Sequence, residues 1–331
     1  MIKQVQEPLQ IKGSVTATIL EGHETVTNLQ YTEEFDFLMA GYADGTIGAI
    51  NERLEVAFVL TDDLTKDTCS TGMKHRPVSR NYPITNTFMC TYSNGLIKCW
   101  NYNFKECTWT TEEKRLTAGI AYHPRNNKFV TFGDNRRINL YDEDSKRQER
   151  VLSASDDKNS INGHTHTVTC ASFHPRNTNE LISGGLDNTV QFWDTRQPNA
   201  MRNISGVTIV GPGLEFTPKG TEFLTCSPDG RTGATLKIWD YATGKETLKF
   251  DGDTFKVAPL YCGTFINRNQ FACGGGEPNF VRLLDINTKK NVALVSNINK
   301  PVKGISAGPA ERNEFAFCAG KRIYIIRSIP K

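Results

Sequence analysis

The sequence lacks a hydrophobic run long enough to span a bilayer, and its first residues, MIKQVQEPLQIKG, lack the apolar core of a signal peptide. It also lacks any C-x-x-C pair. The nine cysteines are scattered, and most lie in apolar strand-like runs, where a reduced cysteine behaves as a small hydrophobic residue. We therefore expect a protein of a reducing compartment, the cytoplasm, the nucleus or both, with no membrane partner.

An excess of charge of one sign is also missing. The 331 residues include 39 Lys and Arg and 36 Asp and Glu, which gives a net charge of +3. Nothing in this balance calls for a nucleic acid or an acidic membrane as partner, although a local basic patch is compatible with it. The hydrophobic content of 38% is ordinary for a globular protein, and the length is ample for a sizeable core.

One unit recurs along the chain: a short apolar run, small or turn-forming residues, and a second, alternating apolar run. It reads LMAGYADGTIGAIN at 38–51, FMCTYSNGLIKCWN at 88–101, and LISGGLDNTVQFWD at 181–194. Such a unit predicts two strands joined by a tight turn. The equivalent positions are spaced by 41 to 52 residues and are Ile50, Trp100, Tyr141, Trp193, Trp239, Leu284 and Ile326.

Strand pairs at this period, with no helical periodicity between them, are typical of β-propeller blades. A further strand precedes most pairs, as in VTNLQY at 26–31, and another follows them, as in ERVLS at 149–153. The sequence therefore predicts an all-β fold of seven four-stranded antiparallel blades in one domain.

The repeats resemble the WD-repeat (WD40) family across essentially the whole chain. Gly-His occurs at 22–23 and 163–164, and Trp-Asp occurs at 193–194 and 239–240. The fourth repeat follows the family pattern almost position by position, whereas repeats six and seven are assigned by spacing alone. The predicted blades are 21–60, 75–110, 112–153, 161–204, 205–250, 251–296, and 297–331 together with 14–20.

The last blade has only three predicted strands of its own, because the sequence ends at KRIYIIRSIPK. The resemblance implies that an N-terminal strand, SVTATIL at 14–20, completes this blade and closes the ring. An unpaired blade edge would otherwise expose a row of backbone donors and acceptors.

The resemblance also implies a structural hydrogen-bond chain in the fourth repeat, formed by His164, Ser183, Asp187 and Trp193. A catalytic triad is the competing reading, since the set contains a serine, a histidine and an aspartate. In the family, however, this serine lies inside the blade and is committed to the tryptophan.

Two other motifs have chemical readings that the strand pattern disfavours. GISAG at 304–308 matches the nucleophile elbow, but that motif requires a turn from strand to helix, and a strand is predicted here. His164, His166 and His174 could suggest a metal site, yet no cysteine or carboxylate completes a ligand set. We expect no metal, no cofactor and no catalytic residue.

The tail of the fourth repeat, WDTR, resembles the motif by which WD-repeat substrate receptors dock on the adaptor of cullin-RING ubiquitin ligases. Arg196 is the informative residue of that motif. Turns reading His-Pro-Arg-Asn at 123–126 and 174–177, and the turn of TPKG, should leave on the same rim of the ring. The sequence thus predicts a basic arc, formed by Arg125, Arg176, Arg196 and Lys219, that either binds a partner or is ordinary turn chemistry.

The opposite rim, around the central opening, is where family members most often bind peptides. By alignment it displays small, mostly uncharged residues: Thr25, Thr27, Ala43, Ser79, Ser93, Thr167, Thr169, Leu186 and Lys303. The polar connections at 61–76 and 153–163 should emerge there too, as binding loops or as solvated spacers.

We therefore expect a monomeric, non-catalytic scaffold or adaptor that binds other proteins or peptides. A ubiquitin-ligase substrate receptor is the sharper alternative, and a propeller-fold hydrolase is the remote one.

Overall fold

A computed structural model of the chain describes residues 2–157, 160–229, 235–249 and 258–329. Within these ranges the chain forms thirty β-strands and two single-turn 3-10 helices, Asp63–Thr65 and Ala310–Arg312. The strands are arranged in seven antiparallel sheets. The predicted all-β class and the seven-bladed propeller are confirmed.

The strands are numbered in chain order. The N-terminal segment contains β1 (Lys3–Val5), β2 (Gln10–Lys12) and β3 (Val15–Glu21). The first blade contains β4 (Val26–Tyr31), β5 (Phe37–Tyr42), β6 (Ile47–Asn51) and β7 (Val56–Leu60). The second contains β8 (Ser70–Lys74), β9 (Thr87–Tyr92), β10 (Leu96–Asn101) and β11 (Glu106–Glu112). The third contains β12 (Thr117–Tyr122), β13 (Lys128–Gly133), β14 (Ile138–Asp142) and β15 (Arg147–Leu152).

The remaining blades repeat this order, in which the first strand is the innermost. The fourth contains β16 (Val168–Phe173), β17 (Glu180–Gly185), β18 (Thr189–Asp194) and β19 (Ala200–Ser205). The fifth contains β20 (Leu214–Phe216), β21 (Glu222–Cys226), β22 (Leu236–Asp240) and β23 (Glu246–Lys249). The sixth contains β24 (Leu260–Phe265), β25 (Gln270–Gly275), β26 (Phe280–Asp285) and β27 (Lys290–Ser296). The seventh contains β28 (Gly304–Ala307), β29 (Glu314–Ala319) and β30 (Arg322–Ser328).

The N-terminal strand β3 completes the seventh blade. It pairs antiparallel with β30 over its whole length, from Val15 opposite Ser328 to Glu21 opposite Arg322. The predicted closure of the ring is therefore confirmed.

Two further strands of the N-terminal segment were not predicted. Strand β1 pairs with β3 and adds a fifth strand to the seventh blade, while β2 pairs with β27 and adds a fifth strand to the sixth. The segment thus covers the outer edges of two neighbouring blades before it enters the ring.

The predicted start of the second blade is wrong. Its inner strand β8 begins at Ser70, inside the segment that was expected to be a polar connection, so residues 75–86 form the turn between the first two strands of the blade. The segment STGMK has little apolar alternation, and its place in the ring comes from pairing with β9. The predicted boundary between the fifth and sixth blades, at residues 250 and 251, lies outside the described residues.

The core consists of seven hydrophobic clusters, one between each pair of neighbouring blades. Between the fourth and fifth blades, for example, Phe192 and Ile209 pack with Phe223. The strands alternate apolar side chains between their two faces, so each blade contributes to two clusters.

The ring has two rims, named here by the turns that form them. The upper rim contains the turns between second and third strands and the connections between blades. The lower rim contains the turns between first and second strands and between third and fourth strands. This division follows from the up-and-down order of the strands in every blade.

Candidate functional site

The fourth blade contains a continuous hydrogen-bond chain. The Trp193 indole Nε1 donates to Ser183 Oγ at 2.7 Å, and His164 Nε2 lies 2.7 Å from the same oxygen. His164 Nδ1 lies 2.8 Å from Asp187 Oδ2. Ser183 and Trp193 are completely buried. The serine hydroxyl therefore serves two partners inside the blade, where no substrate can reach it.

The Asp187 carboxylate anchors this chain at the upper rim. Burial raises the pKa of Asp187, but hydrogen bonds from His164 and from the Thr165 amide outweigh burial and hold that pKa below its ordinary value. The ionised carboxylate places the imidazole hydrogen on Nδ1, which leaves Nε2 to accept from the serine hydroxyl.

In other blades, different residues provide the hydrogen-bond partner of the aromatic side chain that is equivalent to Trp193. In the fifth blade, the Trp239 indole donates to Thr225 Oγ1 at 2.9 Å. In the third blade, which has neither Gly-His nor Trp-Asp, the Tyr141 hydroxyl donates to the buried Glu113 carboxylate at 2.8 Å. These different residues explain why the Gly-His and Trp-Asp motifs are absent from some repeats although the blade geometry is retained.

The structure places Arg125, Arg176 and Lys219 on neighbouring turns of the lower rim. Arg125 Nη1 lies 3.5 Å from the Arg176 carbonyl oxygen, and His174 Nε2 lies 3.0 Å from the carbonyl of Gly220, next to Lys219. The three cations are exposed, and none forms an ion pair with a carboxylate of the described residues. Three adjoining blades thus present cations that have no ion-pair partner in the described residues.

Arg196 belongs to the same rim but has a fixed partner. Its Nε lies 2.9 Å from Asp194 Oδ1, and one terminal nitrogen lies 2.6 Å from Asp194 Oδ2. This hydrogen-bonded contact holds the pKa of Asp194 below its ordinary value. The Arg196 side chain is still 70% exposed, so the bidentate pair orients the guanidinium without covering it.

The histidine of each His-Pro-Arg-Asn turn is a structural acceptor. His123 Nδ1 accepts from the amides of Arg125 and Asn126, at 2.9 and 3.1 Å, and His174 Nδ1 accepts from the equivalent amides of its own turn. Burial lowers the pKa of His123 to about 4, because a charged ring would lose solvation there. The neutral rings hold the turns in a fixed shape.

The upper rim contains the predicted small residues with one exception. Backbone hydrogen bonds place Ala43 against Thr25, Leu186 against Thr167, and Ser93 against Cys69. The Thr27 and Thr169 hydroxyls donate to the carbonyls of Gly41 and Ile209, so both side chains are engaged within the ring. Lys303 is exposed just before β28.

Ser79 is the exception, and its predicted position is wrong. It lies in the 75–86 turn, where its backbone bonds to Tyr82, and this turn belongs to the lower rim. The error follows from the misplaced inner strand of the second blade.

The lower rim of the first two blades also carries a group of exposed apolar side chains that was not predicted from the sequence. The group, named here the apolar sector, consists of Phe35, Val78, Ile84 and Phe104. Phe104 is 75% exposed, more than any other large hydrophobic residue of the described chain. The available signal was Phe104, an apolar residue within the turn NYNFKE.

The structure also places the GISAG motif and the histidines that were considered as metal ligands. Ser306 of GISAG lies on the inner strand β28, is buried, and accepts the Tyr31 amide at 3.1 Å. No group of three or more metal-ligating side chains occurs in the described residues. The same part of the chain contains no helix long and apolar enough to cross a bilayer.

Comparison with known proteins agrees with this geometry. The family model described as "WD domain, G-beta repeat" matches residues 155–194. The target of rapamycin complex subunit wat1 of Schizosaccharomyces pombe is 30% identical over 165 residues, which are 49% of this chain and 48% of that protein. The transcriptional corepressor LEUNIG_HOMOLOG of Arabidopsis thaliana is 22% identical over 268 residues, 80% of this chain and 29% of that protein.

A probable coatomer subunit beta' of Schizosaccharomyces pombe is 31% identical over 114 residues, 34% of this chain and 13% of that protein. The matched segments therefore span less than half the length of each of these three relatives. Together with the seven blades and the hydrogen-bond chain of the fourth, these matches identify the chain as a seven-bladed β-propeller with WD repeats, of which the family model matches the fourth.

Proposed function

We propose that the chain is a non-catalytic scaffold or adaptor that binds other proteins or peptides through its lower rim. The observation that carries this proposal is that Arg125, Arg176 and Lys219, on three adjoining blades, are exposed and have no ion-pair partner in the described residues. Arginine offers a planar fork that matches carboxylates, and it is enriched among the residues that dominate binding energy at interfaces.

The rigidity of the rim supports the same proposal. His123 and His174 fix the two arginine-bearing turns through backbone hydrogen bonds, so little conformational entropy would be lost when a partner binds the turns. The two serines that could suggest a hydrolase, Ser183 and Ser306, are buried and hydrogen-bonded.

The relatives add independent support. One is named as a subunit of the target of rapamycin complex and another as a coatomer subunit. These names support a role within a multiprotein complex, for which we propose a cytoplasmic or nuclear compartment.

The test is affinity capture from a soluble extract of the source organism, with mass-spectrometric identification of the captured proteins. One bait is the wild-type chain, and the other carries Arg125→Glu, Arg176→Glu and Arg196→Glu. The matched control reverses Arg136 and Arg137, which are exposed on the upper rim of the third blade. Partners lost only from the lower-rim variant support the proposal, whereas identical captured sets contradict it.

A second candidate is a substrate receptor of a cullin-RING ubiquitin ligase. The observation in its favour is that Asp194 orients the exposed Arg196 guanidinium at the end of the Trp-Asp-x-Arg motif. We expect Arg196→Ala to abolish co-purification with the ligase adaptor while the melting temperature stays unchanged. Unchanged adaptor binding would exclude this candidate.

A further inference from the structure

The Glu33 carboxylate organises the lower rim of the first two blades. It is almost fully buried and accepts hydrogen bonds from the Asn86 amide at 2.8 Å and the Thr85 amide at 3.1 Å. The Tyr102 hydroxyl lies 3.5 Å from the same carboxylate, and the Tyr102 amide donates to the Asn86 carbonyl at 3.0 Å. Three turns from two blades are therefore fixed to one another.

Glu33 and its hydrogen-bond partners Thr85, Asn86 and Tyr102 are named here the Glu33 hub. The residues of the apolar sector belong to the same turns as this hub. Ile84 directly precedes Thr85, while Phe35 and Phe104 are two residues away from Glu33 and Tyr102. Val78 lies in the same 75–86 turn, where the Arg76 guanidinium stacks 4.9 Å from the Tyr82 ring. The four apolar side chains are 39 to 75% exposed, and the Phe35 and Phe104 amides donate to the Thr32 carbonyl and to Asn101 Oδ1.

The exposure of Phe104 has no explanation in the turn itself. Its amide donates to Asn101 Oδ1 at 3.0 Å, and the Ser145 amide makes the equivalent bond to Asp142 in the third blade. Serine at 145 and threonine at 243 and 288 fill the same position in other blades. The turn forms with a polar residue, so the phenyl ring contributes nothing to it.

The 75–86 turn, which carries Val78 and Ile84, contacts the third blade beside the turn that carries Arg125. Arg76 Nη1 lies 3.3 Å from Glu143 Oε2, and the Glu143 amide donates to the Asn127 carbonyl at 2.8 Å. Asn127 ends the turn that carries Arg125. These contacts link the 75–86 turn of the second blade to the 123–127 turn of the third, which carries Arg125.

We propose that the apolar sector and the basic arc form one docking surface for an acidic protein segment with bulky apolar side chains at one end and carboxylates at the other. This inference rests on the proposed function and names the chemistry of its partner. The acidic end of the partner follows from charge complementarity, because Arg125, Arg176 and Lys219 form no ion pair within the described residues. The apolar end follows from the exposed phenyl ring of Phe104.

The experiment is a selection of peptides from a random 16-residue library on the immobilised full chain. Sixteen residues can extend over roughly 50 Å, which lets one peptide contact several blades. Enriched peptides are then titrated by fluorescence anisotropy against a Phe104→Ser, Ile84→Ser variant and an Arg125→Glu, Arg176→Glu variant. Matched controls on the upper rim are Leu64→Ser with Leu186→Ser, and Arg136→Glu with Arg137→Glu.

We expect the enriched sequences to separate apolar from acidic residues, and to lose about tenfold in affinity for each lower-rim variant. The controls should bind like the wild type. Thermal melting checks that each variant is folded, and Phe104→Ser alone replaces the apolar pair if that pair melts early.

Each other outcome is decisive. Peptides that need only the arginines overturn the docking surface but leave the proposed function standing. Peptides that bind both lower-rim variants with the affinity they have for the wild type contradict both proposals. A selection that enriches no peptide of mixed apolar and acidic character also overturns this inference.

Discussion

Ser183 illustrates how one small side chain holds a blade together. Its hydroxyl accepts from the Trp193 indole and bonds to the His164 ring, both at 2.7 Å, and all three side chains are buried. Buried polar groups are tolerable only when each has a partner, so the serine satisfies two neighbours at once.

We expect Ser183→Ala to lower the free energy of unfolding by about 1–3 kcal/mol, because it leaves the buried indole donor and the imidazole without their shared partner. Urea denaturation measures this loss. Ser205→Ala, at the exposed end of β19, is the matched control and should leave the unfolding free energy nearly unchanged. Equal effects of the two substitutions would contradict a structural role for the chain.

His123 should make the fold sensitive to acid. Its pKa falls from 6.5 to about 4 on folding, so between these values the unfolded chain binds a proton that the folded chain does not. The unfolding free energy therefore decreases as the pH falls through that window. His123→Asn retains an acceptor for the Arg125 amide but does not titrate.

We expect the loss of unfolding free energy from pH 7 to pH 4.5 to be about 2 kcal/mol smaller in His123→Asn than in the wild type. His166→Asn, which replaces an exposed histidine, is the control. If the unfolding free energy of His123→Asn falls as much as that of the wild type over this pH range, the buried ring is not the cause of the acid sensitivity.

The hydrogen-bond role of a single residue could be predicted from the sequence when its partners lie in a repeat that follows the standard motif. The chain from Trp193 to Asp187 could be proposed because all four members lie in one standard repeat. The Glu113 network could not, since its carboxylate replaces a histidine that the motif requires and bonds to Thr131, Asn139 and Tyr141.

At the scale of elements, the N-terminal segment does more than close the ring. Between β1 and β2 the chain passes through Glu7, whose buried carboxylate lies 3.1 Å from an Arg322 nitrogen and accepts the Asn299 amide at 3.0 Å. The Tyr324 hydroxyl also donates to it, at 2.5 Å. Glu7 thus binds the segment to the seventh blade and to the connection that precedes it.

We expect Glu7→Ala to lower the free energy of unfolding by about 3 kcal/mol, because Arg322 loses its buried partner. Amides of β1 and β2 should then exchange with solvent faster in a hydrogen-exchange measurement. Glu21→Ala is the matched control, since its half-exposed carboxylate lies 3.9 Å from the same arginine. Similar costs for both carboxylates would contradict this account of the segment.

Strands with strong alternation were predictable, and short polar ones were not. The inner strand VTNLQY matches β4 residue for residue. Strands β1, β2 and β8 escaped because they are three to five residues long with few apolar side chains. Each of these segments becomes a strand because it pairs with the edge of another strand. That pairing is a tertiary contact, which the local sequence pattern does not reveal.

At the scale of the whole molecule, the ring buries most of its thiols. All nine cysteines are free and seven are buried, while Cys69 and Cys107 are half-buried. Burial raises the pKa of the Cys90 and Cys318 thiols to about 12, so these thiols stay protonated and unreactive at neutral pH.

We expect at most two thiols of the native protein to react with a thiol reagent at neutral pH, and all nine to react after unfolding in denaturant. A spectrophotometric count of modified thiols measures both states. More than two fast-reacting thiols in the native protein would contradict the closed, tightly packed ring.

The repeat period predicted the ring and its closure, but not the character of the lower rim. The cations of the basic arc could be aligned from the repeats, whereas the apolar sector depends on the Glu33 hub, which joins residues 52 and 53 positions apart. A pattern within one repeat does not contain such a contact.

The most direct test of binding at the lower rim is hydrogen-exchange mass spectrometry of the full chain, alone and with a partner captured by the wild type. We expect the partner to protect the lower-rim turns 75–86, 123–127 and 174–179 and to leave the upper rim unchanged. Protection confined to the upper rim, at residues 63–68 and 186–188, would contradict the claim that the lower rim is where this propeller binds other proteins.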